Sequence, residues 1–312
     1  MKIAEPLPTR VFERREAFSP EADGLYVYGT SDEGRSHLPD SWRIAQHCEF
    51  LQVRDLDGFH MVVDLGADKI VPLRSDQALE DLLSAYAGRR LYLDITGLPH
   101  HIWAAVLRSA LLLGLTVEAV YVEPERYRFS DVPRPGEIFD LSLRIEGISP
   151  LPGFTRLRRR FDDSPVFVPM LGFEGARFHY VLATVQPEGN MTIPVVGLPG
   201  FRLEYPFYTY EGNQPALQLS QGWRDVRYAA GNCPFEAFFA VRGIARDYPD
   251  HNLAIAPIGT KPHAVGAILF SLLNPDRTEI VYDHPVRSTG RTEGEYRTLV
   301  YGVSRFYEGN LL

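Results

Sequence analysis

The chain has 312 residues, of which 45% are hydrophobic and 23% charged, a balance typical of soluble globular proteins with a full core. A formal net charge of −8 argues against a broad surface for duplex nucleic acid, because such a surface needs a basic field. The distant cysteines Cys48 and Cys233 argue against a disulfide framework, as in a cytoplasmic protein. No signal-peptide core and no membrane-length apolar run is present, so we expect no membrane association.

The first part of the chain alternates strand-like and helix-like segments. The pattern of apolar residues predicts strands at 25–28, 50–53, 59–64, 91–95 and 116–122, and helices at 42–48, 76–86 and 101–113. A helix between two buried strands is typical of a βαβ unit, in which the strands pair in parallel.

Residues 123–164 are rich in proline and are interpreted as a connector. They contain four closely spaced arginines, Arg156, Arg158, Arg159 and Arg160. Such a basic run can touch a ligand or partner, but it more often forms a solvated face, and we prefer that interpretation.

A second alternation follows the connector. Strands are predicted at 166–171, 192–196, 252–256 and 278–282, helices at 174–185, 237–248 and 264–273, and a closing strand within 296–306. The whole pattern predicts an α/β fold of two Rossmann-like units with mainly parallel sheets. We assign residues 1–130 to the N-terminal unit, 131–164 to the connector and 165–312 to the C-terminal unit.

Ligands of open α/β sheets bind beyond the carboxyl ends of the strands, so the loops there hold the candidate residues. In the first unit these are Thr96, Gly97 and His100, which follow Asp94 at a strand end, and Glu123 after the next strand. Glu123 is suited to a ribose hydroxyl, with pairing to a nearby arginine in solvent as the alternative. Thr96 alone is better explained as a helix cap.

In the second unit the first candidate loop contains Gly172 and Glu174 and leads into Arg177. Arginine is a good bidentate donor to phosphate or carboxylate, and Glu174 would cap the helix or orient the guanidinium. The loop lacks the full glycine spacing of a dinucleotide fingerprint.

The most suggestive stretch is Gly259-Thr260-Lys261-Pro262-His263, between a buried strand and an apolar helix. Helix N–H groups, the positive end of the helix dipole and the Lys261 ammonium would converge there on an anion such as phosphate or carboxylate. The alternative is an ordinary β–α turn with Lys261 in solvent. The spacing is not that of a P-loop.

Other catalytic signatures are missing. The sequence has no nucleophile elbow, no zinc-protease helix and no cysteine–histidine nucleophile pair. His100 and His101 are adjacent on one helical turn and point in different directions, so we expect no metal site. No cofactor can be named.

The strand followed by Gly259-Thr260-Lys261-Pro262 and a helix with Ala264 and Gly266 resembles the signature turn of CARF domains, Rossmann-like nucleotide sensors of prokaryotic defence systems. The resemblance covers about residues 165–287. It departs from the family at Pro257-Ile258, where a second glycine is usual, and at His263, where an apolar residue is common. It implies a nucleotide pocket at this turn, pairing of two copies, and a separate effector protein, since no nuclease motif is present.

Three functional hypotheses follow. The first is a nucleotide-binding sensor or regulatory protein of antiviral defence that acts with a separate effector. The second is an enzyme that hydrolyses or cleaves a nucleotide or another phosphorylated small molecule, with Asp94, His100, Glu123 and Glu174 as acid–base candidates. The third is a structural subunit with its interface at Phe201–Tyr210.

Overall fold

The computed structural model of the chain describes residues 7–134, 137–155 and 164–311. The protein has an α/β fold with two compact units, one formed by Met1–Arg126 with Thr292–Leu312 and the other by Tyr127–Arg291. The second unit is therefore inserted in the sequence of the first. The basic cluster from Arg156 to Arg160 lies outside the described residues.

The elements are numbered in chain order. Up to Glu123 they are β1 (Thr9–Phe12), β2 (Leu25–Tyr28), α1 (Asp40–Ala45), β3 (Glu49–Asp55), β4 (His60–Asp64), β5 (Asp68–Pro72), α2 (Asp76–Ser84), β6 (Leu91–Asp94), α3 (His100–Leu112) and β7 (Val117–Glu123). Next come β8 (Arg126–Tyr127), β9 (Phe129–Arg134), β10 (Glu137–Phe139), β11 (Ser142–Ile145), β12 (Ser149–Pro150), β13 (Val166–Met170), α4 (Gly175–Val185), β14 (Val195–Gly197), α5 (Tyr205–Leu219), β15 (Arg227–Ala229) and α6 (Pro234–Asp247). The chain ends with β16 (Leu253–Pro257), α7 (Lys261–Leu273), β17 (Thr278–Tyr282), β18 (Pro285–Arg287), β19 (Thr292–Glu293), β20 (Arg297–Tyr301) and α8 (Val303–Glu308).

The first unit is built on a mixed sheet with the strand order β1-β20-β7-β6-β2-β3-β4-β5. Its centre, from β7 to β3, is parallel, and antiparallel strands extend it on both sides. Aromatic side chains form a core on one face of this sheet, where Tyr26 of β2 and Tyr92 of β6 pack with Phe18 and Trp42. Phe18 comes from the segment before β2, so this N-terminal arm is part of the core.

The second unit has a sheet with the order β12-β17-β16-β13-β14-β15. The strands from β17 to β15 are parallel, whereas β12 pairs antiparallel with β17. Both β13 and β16 are buried along their whole length, which explains their continuous apolar runs. Helix α7 is buried from Lys261 to Ser271, as expected of a helix that is apolar on all sides.

Most predicted elements are present, with shifts of a few residues at their ends. The structure also has elements that were not predicted. No helix or strand was predicted between 197 and 236, yet the structure has the 15-residue helix α5, Tyr205–Leu219, in this stretch. Its Pro206, Gly212 and Pro215 hide the helical pattern, because proline and glycine disfavour helices. The predicted closing strand within 296–306 is β20 followed by the short helix α8.

The boundaries of the two units differ from those predicted. Residues 131–164 were interpreted as a connector, but their described part forms short strands, of which β11 pairs with β18 and β12 with β17. Residues 292–312 group with the first unit, because β20 lies between β1 and β7. Within the described part of the chain, every helix is too short or too polar to cross a lipid bilayer.

Candidate functional site

In each of the two large sheets the chain order of the parallel strands reverses at one place. In the second unit these strands have the order β15-β14-β13-β16-β17, so the reversal lies between β13 and β16. In the first unit the order β3-β2-β6-β7 puts it between β2 and β6. We call the loops that follow β2 and β6 the first switch point, and those that follow β13 and β16 the second switch point. Such reversals are where open α/β sheets bind ligands.

The two loops of the second switch point touch through glycines. A Cβ atom on Gly172 would lie 2.9 Å from the carbonyl oxygen of Ile258, and one on Gly259 would lie 2.6 Å from that of Leu171. Neither approach is compatible with a larger residue unless the backbone shifts. Two predicted site residues, Gly172 and Gly259, therefore lie side by side although 87 positions separate them in sequence (259 minus 172).

Thr260 is the cap of α7. Its hydroxyl accepts the N–H of His263 at 3.3 Å and donates to the carbonyl of Gly231 at 2.6 Å, which ties the turn to the loop after β15. The N–H of Ala264 bonds the carbonyl of Thr260, and Pro262 has none. Much of the donor capacity at this helix end is thus used internally, so an anion there would depend strongly on Lys261.

Lys261 and His263 are both buried. Lys261 is only 6% exposed, so the alternative that places it in solvent is wrong. The His263 ring contacts the carbonyl of Ala230 through Nε2 at 3.0 Å. Complete burial lowers the pKa of His263 below its usual value, so the ring is neutral at pH 7.

Arg177 is a bidentate donor, as predicted, but its partner is the protein itself. Its Nε and Nη2 bond the two carboxylate oxygens of Asp283 at 2.7 and 2.6 Å. Its Nη1 donates to the carbonyl of Ile258 at 3.1 Å, immediately before Gly259. Burial alone would lower the pKa of Arg177, but the Asp283 carboxylate outweighs burial and raises it. Arg177 thus joins the ends of β16 and β17 to α4 and supports the Gly259 turn.

Glu174 faces a cavity of about 320 Å³ between the start of α4 and the β9–β10 hairpin. Its side chain accepts a hydrogen bond from Ser142 at 2.8 Å and lies 3.9 Å from Arg177, and it does not cap the helix. The cavity is also lined by Glu137 and Asp140, against one guanidinium, that of Arg134. This excess of negative charge disfavours phosphate, so a phosphate site is better sought at Lys261.

The first switch point is also closed by glycine. A Cβ atom on Gly97 would lie 1.8 Å from the carbonyl oxygen of Gly29. The hydroxyl of Thr96 accepts the N–H of Val122 at 2.9 Å, whereas α3 begins after Pro99 without a side-chain cap. The interpretation of Thr96 as a helix cap is therefore wrong, because its hydroxyl faces strand β7.

Asp94, at the end of β6, lies in a buried polar network. One carboxylate oxygen accepts hydrogen bonds from Arg15 at 2.6 Å and from the Tyr26 hydroxyl at 2.9 Å, and the other accepts the N–H of Thr96 at 2.9 Å. Burial would raise the pKa of Asp94, but Arg15 and the bonds from Thr96 outweigh it and hold the pKa below its usual value. Asp94 is therefore ionised at neutral pH, which does not suit a general acid.

The neighbouring charges are paired as well. Glu33 accepts bonds from both Nε and Nη2 of Arg35, at 2.9 and 2.6 Å, and from the hydroxyl of Thr292 at 2.6 Å. Glu123 is fully buried and accepts the Nε of Arg297 at 2.8 Å. The alternative that pairs Glu123 with a neighbouring arginine in solvent is therefore wrong.

The two adjacent histidines are also buried. His100 packs against Trp103 with ring centroids 5.3 Å apart, and His101 lies 3.2 Å from a carboxylate oxygen of Asp55. No group of three potential metal-ligating side chains is found among residues 7–134, 137–155 and 164–311.

The predicted site residues thus fall into two sets, one in each unit. Thr96, Gly97, His100 and Glu123 belong to the first, and the remaining seven, Gly172, Glu174, Arg177, Gly259, Thr260, Lys261 and His263, belong to the second. Sequence reasoning missed the partners Arg15, Tyr26 and Asp283. Asp283 directly follows a predicted strand, and that position was the available signal; Arg15 lies in a segment without a pattern.

No protein-family model matches the sequence, and no curated protein matches it. The chemistry of the two switch points therefore rests on their own geometry.

Proposed function

We propose that this protein is a nucleotide-binding sensor or regulatory protein and that its second unit holds the ligand at the second switch point. One observation carries the proposal: the order β15-β14-β13-β16-β17 reverses at the strand that leads into the Gly259–His263 turn. This arrangement is typical of dinucleotide-binding sheets. The order β3-β2-β6-β7 at the parallel centre of the first sheet supports the interpretation of both units as Rossmann-like. That sheet as a whole is mixed rather than mainly parallel, because four of its seven strand pairings are antiparallel.

The chemistry of the turn favours a phosphate as the ligand's anionic group. Lys261 is the first residue of α7, at the end of the helix where the dipole attracts an anion, and its side chain contributes a positive charge to the same turn. Because Thr260 already accepts the N–H of His263, we assign most of the attraction to Lys261 and less to the backbone.

Binding is favoured over turnover by the state of the carboxylates. Asp94 is bonded to Arg15, Glu123 to Arg297, and Glu174 to Ser142. A general acid or base must reach the substrate and exchange a proton near neutral pH. Carboxylates that are held by internal partners do not meet this need, so the hydrolase alternative ranks second.

The resemblance of the Gly259-Thr260-Lys261-Pro262 turn to CARF domains supports a more specific version of the proposal. In this version the protein senses a nucleotide in prokaryotic antiviral defence, pairs with a second copy and controls a separate effector protein. Its location would be the cytoplasm.

The test is thermal unfolding of the wild type, Lys261→Ala and Lys69→Ala against inorganic phosphate, mononucleotides, dinucleotides and cyclic oligonucleotides. Lys69 is an exposed lysine on β5 and serves as the matched control. At about a hundred times its dissociation constant, a ligand adds about 2.7 kcal/mol to the free energy of unfolding. That corresponds to a rise in Tm of about 5–10 °C for a unit of this size.

We expect one nucleotide class to raise the Tm of the wild type and Lys69→Ala but not that of Lys261→Ala. Circular dichroism must show that Lys261→Ala is folded. Chromatography of the incubated ligand separates a sensor, which returns it unchanged, from an enzyme. An equal shift in Lys261→Ala would place the ligand elsewhere, and no shift in the wild type would refute the proposal.

A further inference from the structure

The first switch point holds an arginine that comes from outside the sheet. Arg15 lies in a short 3₁₀ helix, Arg15–Ala17, between β1 and β2, and its side chain is completely buried. Burying a guanidinium is costly unless its surroundings are arranged to receive it. The surroundings of Arg15 therefore indicate what this place in the fold is built to hold.

The acceptors around Arg15 come from strands and loops of the switch point. Its Nη1 donates to Asp94 at the end of β6 at 2.6 Å and to the Tyr26 hydroxyl of β2 at 3.2 Å. Its Nη2 donates to the carbonyl of Arg35, in the loop after β2, at 2.8 Å. A carboxylate, a phenol and a carbonyl spread around one planar group match the fork of a guanidinium better than the single point charge of an ammonium.

The acceptors are also held in place without Arg15. Asp94 accepts the N–H of Thr96 at 2.9 Å and the Tyr26 hydroxyl at 2.9 Å. The loop that carries Arg35 is fixed by the Glu33–Arg35 pair, and Thr292 donates to Glu33 at 2.6 Å. Removal of the Arg15 side chain would thus leave a space with its acceptors still oriented.

We propose that the first switch point is a guanidinium-binding site, which Arg15 occupies from within the same chain. The arm from Thr9 to Phe18 is then held at both ends, since β1 pairs with β20 and Phe18 packs in the aromatic core. Arg15 lies between these two ends in the sequence and occupies the switch point. The proposal does not depend on nucleotide binding by the second unit.

Chemical rescue tests the proposal. The Tm of Arg15→Ala is measured with increasing millimolar methylguanidinium chloride or methylammonium chloride at constant ionic strength. We expect methylguanidinium to raise the Tm of Arg15→Ala by several degrees in a saturable way, while methylammonium has little effect. The wild type and Arg54→Ala, which lacks an exposed arginine of β3, should show no such rise.

A second variant locates the effect. Arg15→Ala combined with Asp94→Asn removes the anionic acceptor, so methylguanidinium should no longer raise its Tm. Rescue that persists in this double variant, or a folded Arg15→Ala without selective rescue, would overturn the proposal. If Arg15→Ala does not fold alone, its refolding yield with each cation is measured, and equal yields would also overturn it.

Discussion

At both switch points two loops pack closely together and a buried charge is paired nearby, but the residues that do this come from different parts of the chain. In each, a glycine of one loop lies against the backbone of the other, Gly97 on Gly29 in the first unit and Gly172 on Ile258 in the second. Beside each, a buried arginine bonds a carboxylate at the end of a strand: Arg15 bonds Asp94, the last residue of β6, and Arg177 bonds Asp283, which follows β17. The comparison shows that the same two features, a glycine contact between loops and a buried arginine–carboxylate pair, can be formed by residues at unrelated positions in the sequence.

The source of the arginine makes the difference. Arg177 belongs to α4, the helix that follows β13, and supports the backbone of the Gly259 turn. Arg15 belongs to a separate arm and fills the switch point itself. A polar pair of this kind gives little net stability over an apolar one, but the loss of one partner is costly. Both arginines should therefore be sensitive to mutation, with different consequences for ligands.

The largest loss of stability should come from breaking the Arg177–Asp283 pair. Arg177→Ala leaves Asp283 buried without its cation and is expected to lower the free energy of unfolding by about 3–5 kcal/mol. Urea unfolding measures the loss. The matched control is Arg246→Ala, which removes an exposed arginine of α6 and should change stability by about 0.5 kcal/mol or less. A loss for Arg177→Ala as small as that of the control would contradict the role given to this pair.

The next largest losses of stability should come from substitutions at the glycine contacts, and the loss should differ between the two units. Gly97→Ala would place a Cβ atom 1.8 Å from the Gly29 oxygen, whereas Gly172→Ala would place one 2.9 Å from the Ile258 oxygen. We expect a cost at the upper end of the usual range of about 1–3 kcal/mol for Gly97→Ala, and a smaller one for Gly172→Ala. Gly34→Ala, with no neighbour within 4 Å, is the control. Equal stability of Gly97→Ala and Gly34→Ala in thermal unfolding would refute the close contact.

Acid should act on the second unit before the first. The pKa of His263 is lowered by burial, so the unfolded chain binds its proton more readily, and stability falls as the pH drops below about 6.5. The slope reaches at most about 1.4 kcal/mol per pH unit. The pKa of Asp94 is also lowered, so its contribution is lost only below about pH 4. His263→Gln should flatten the first phase in urea unfolding and Asp94→Asn the second, and a variant that leaves its phase unchanged contradicts this assignment.

The smallest expected effect is an increase in stability. Gly243 lies inside α6, and a Cβ atom at this position would have no neighbour within 4 Å, so Gly243→Ala should stabilise the protein by about 0.5–1 kcal/mol. Gly266 of α7 is the contrast, because its Cβ atom would lie 2.3 Å from the Pro234 oxygen. Thermal unfolding should give shifts of opposite sign, and a destabilised Gly243→Ala would show that α6 tolerates no added methyl group.

Much of the fold was predictable because its elements carry strong local patterns. The buried strands β13 and β16 are continuous apolar runs, and α2 has apolar residues at helical spacing. Elements without such patterns were missed, among them β15 with three residues and α5 with its internal Pro215. The candidate residue types were also predictable in part: Arg177 is a bidentate donor, but to a carboxylate of its own unit.

The sequence alone determined the alternation of strands and helices, the loops at the carboxyl ends and the glycines that those loops need. These properties follow from local periodicity and backbone sterics, which depend on residues close together in the sequence. The tertiary structure alone decided which loops meet and which charges pair, since Arg15 and Asp94 are 79 positions apart and Arg177 and Asp283 are 106 apart. Such pairs form only when strand order brings them together and burial removes water, and no local pattern in the chain encodes that order.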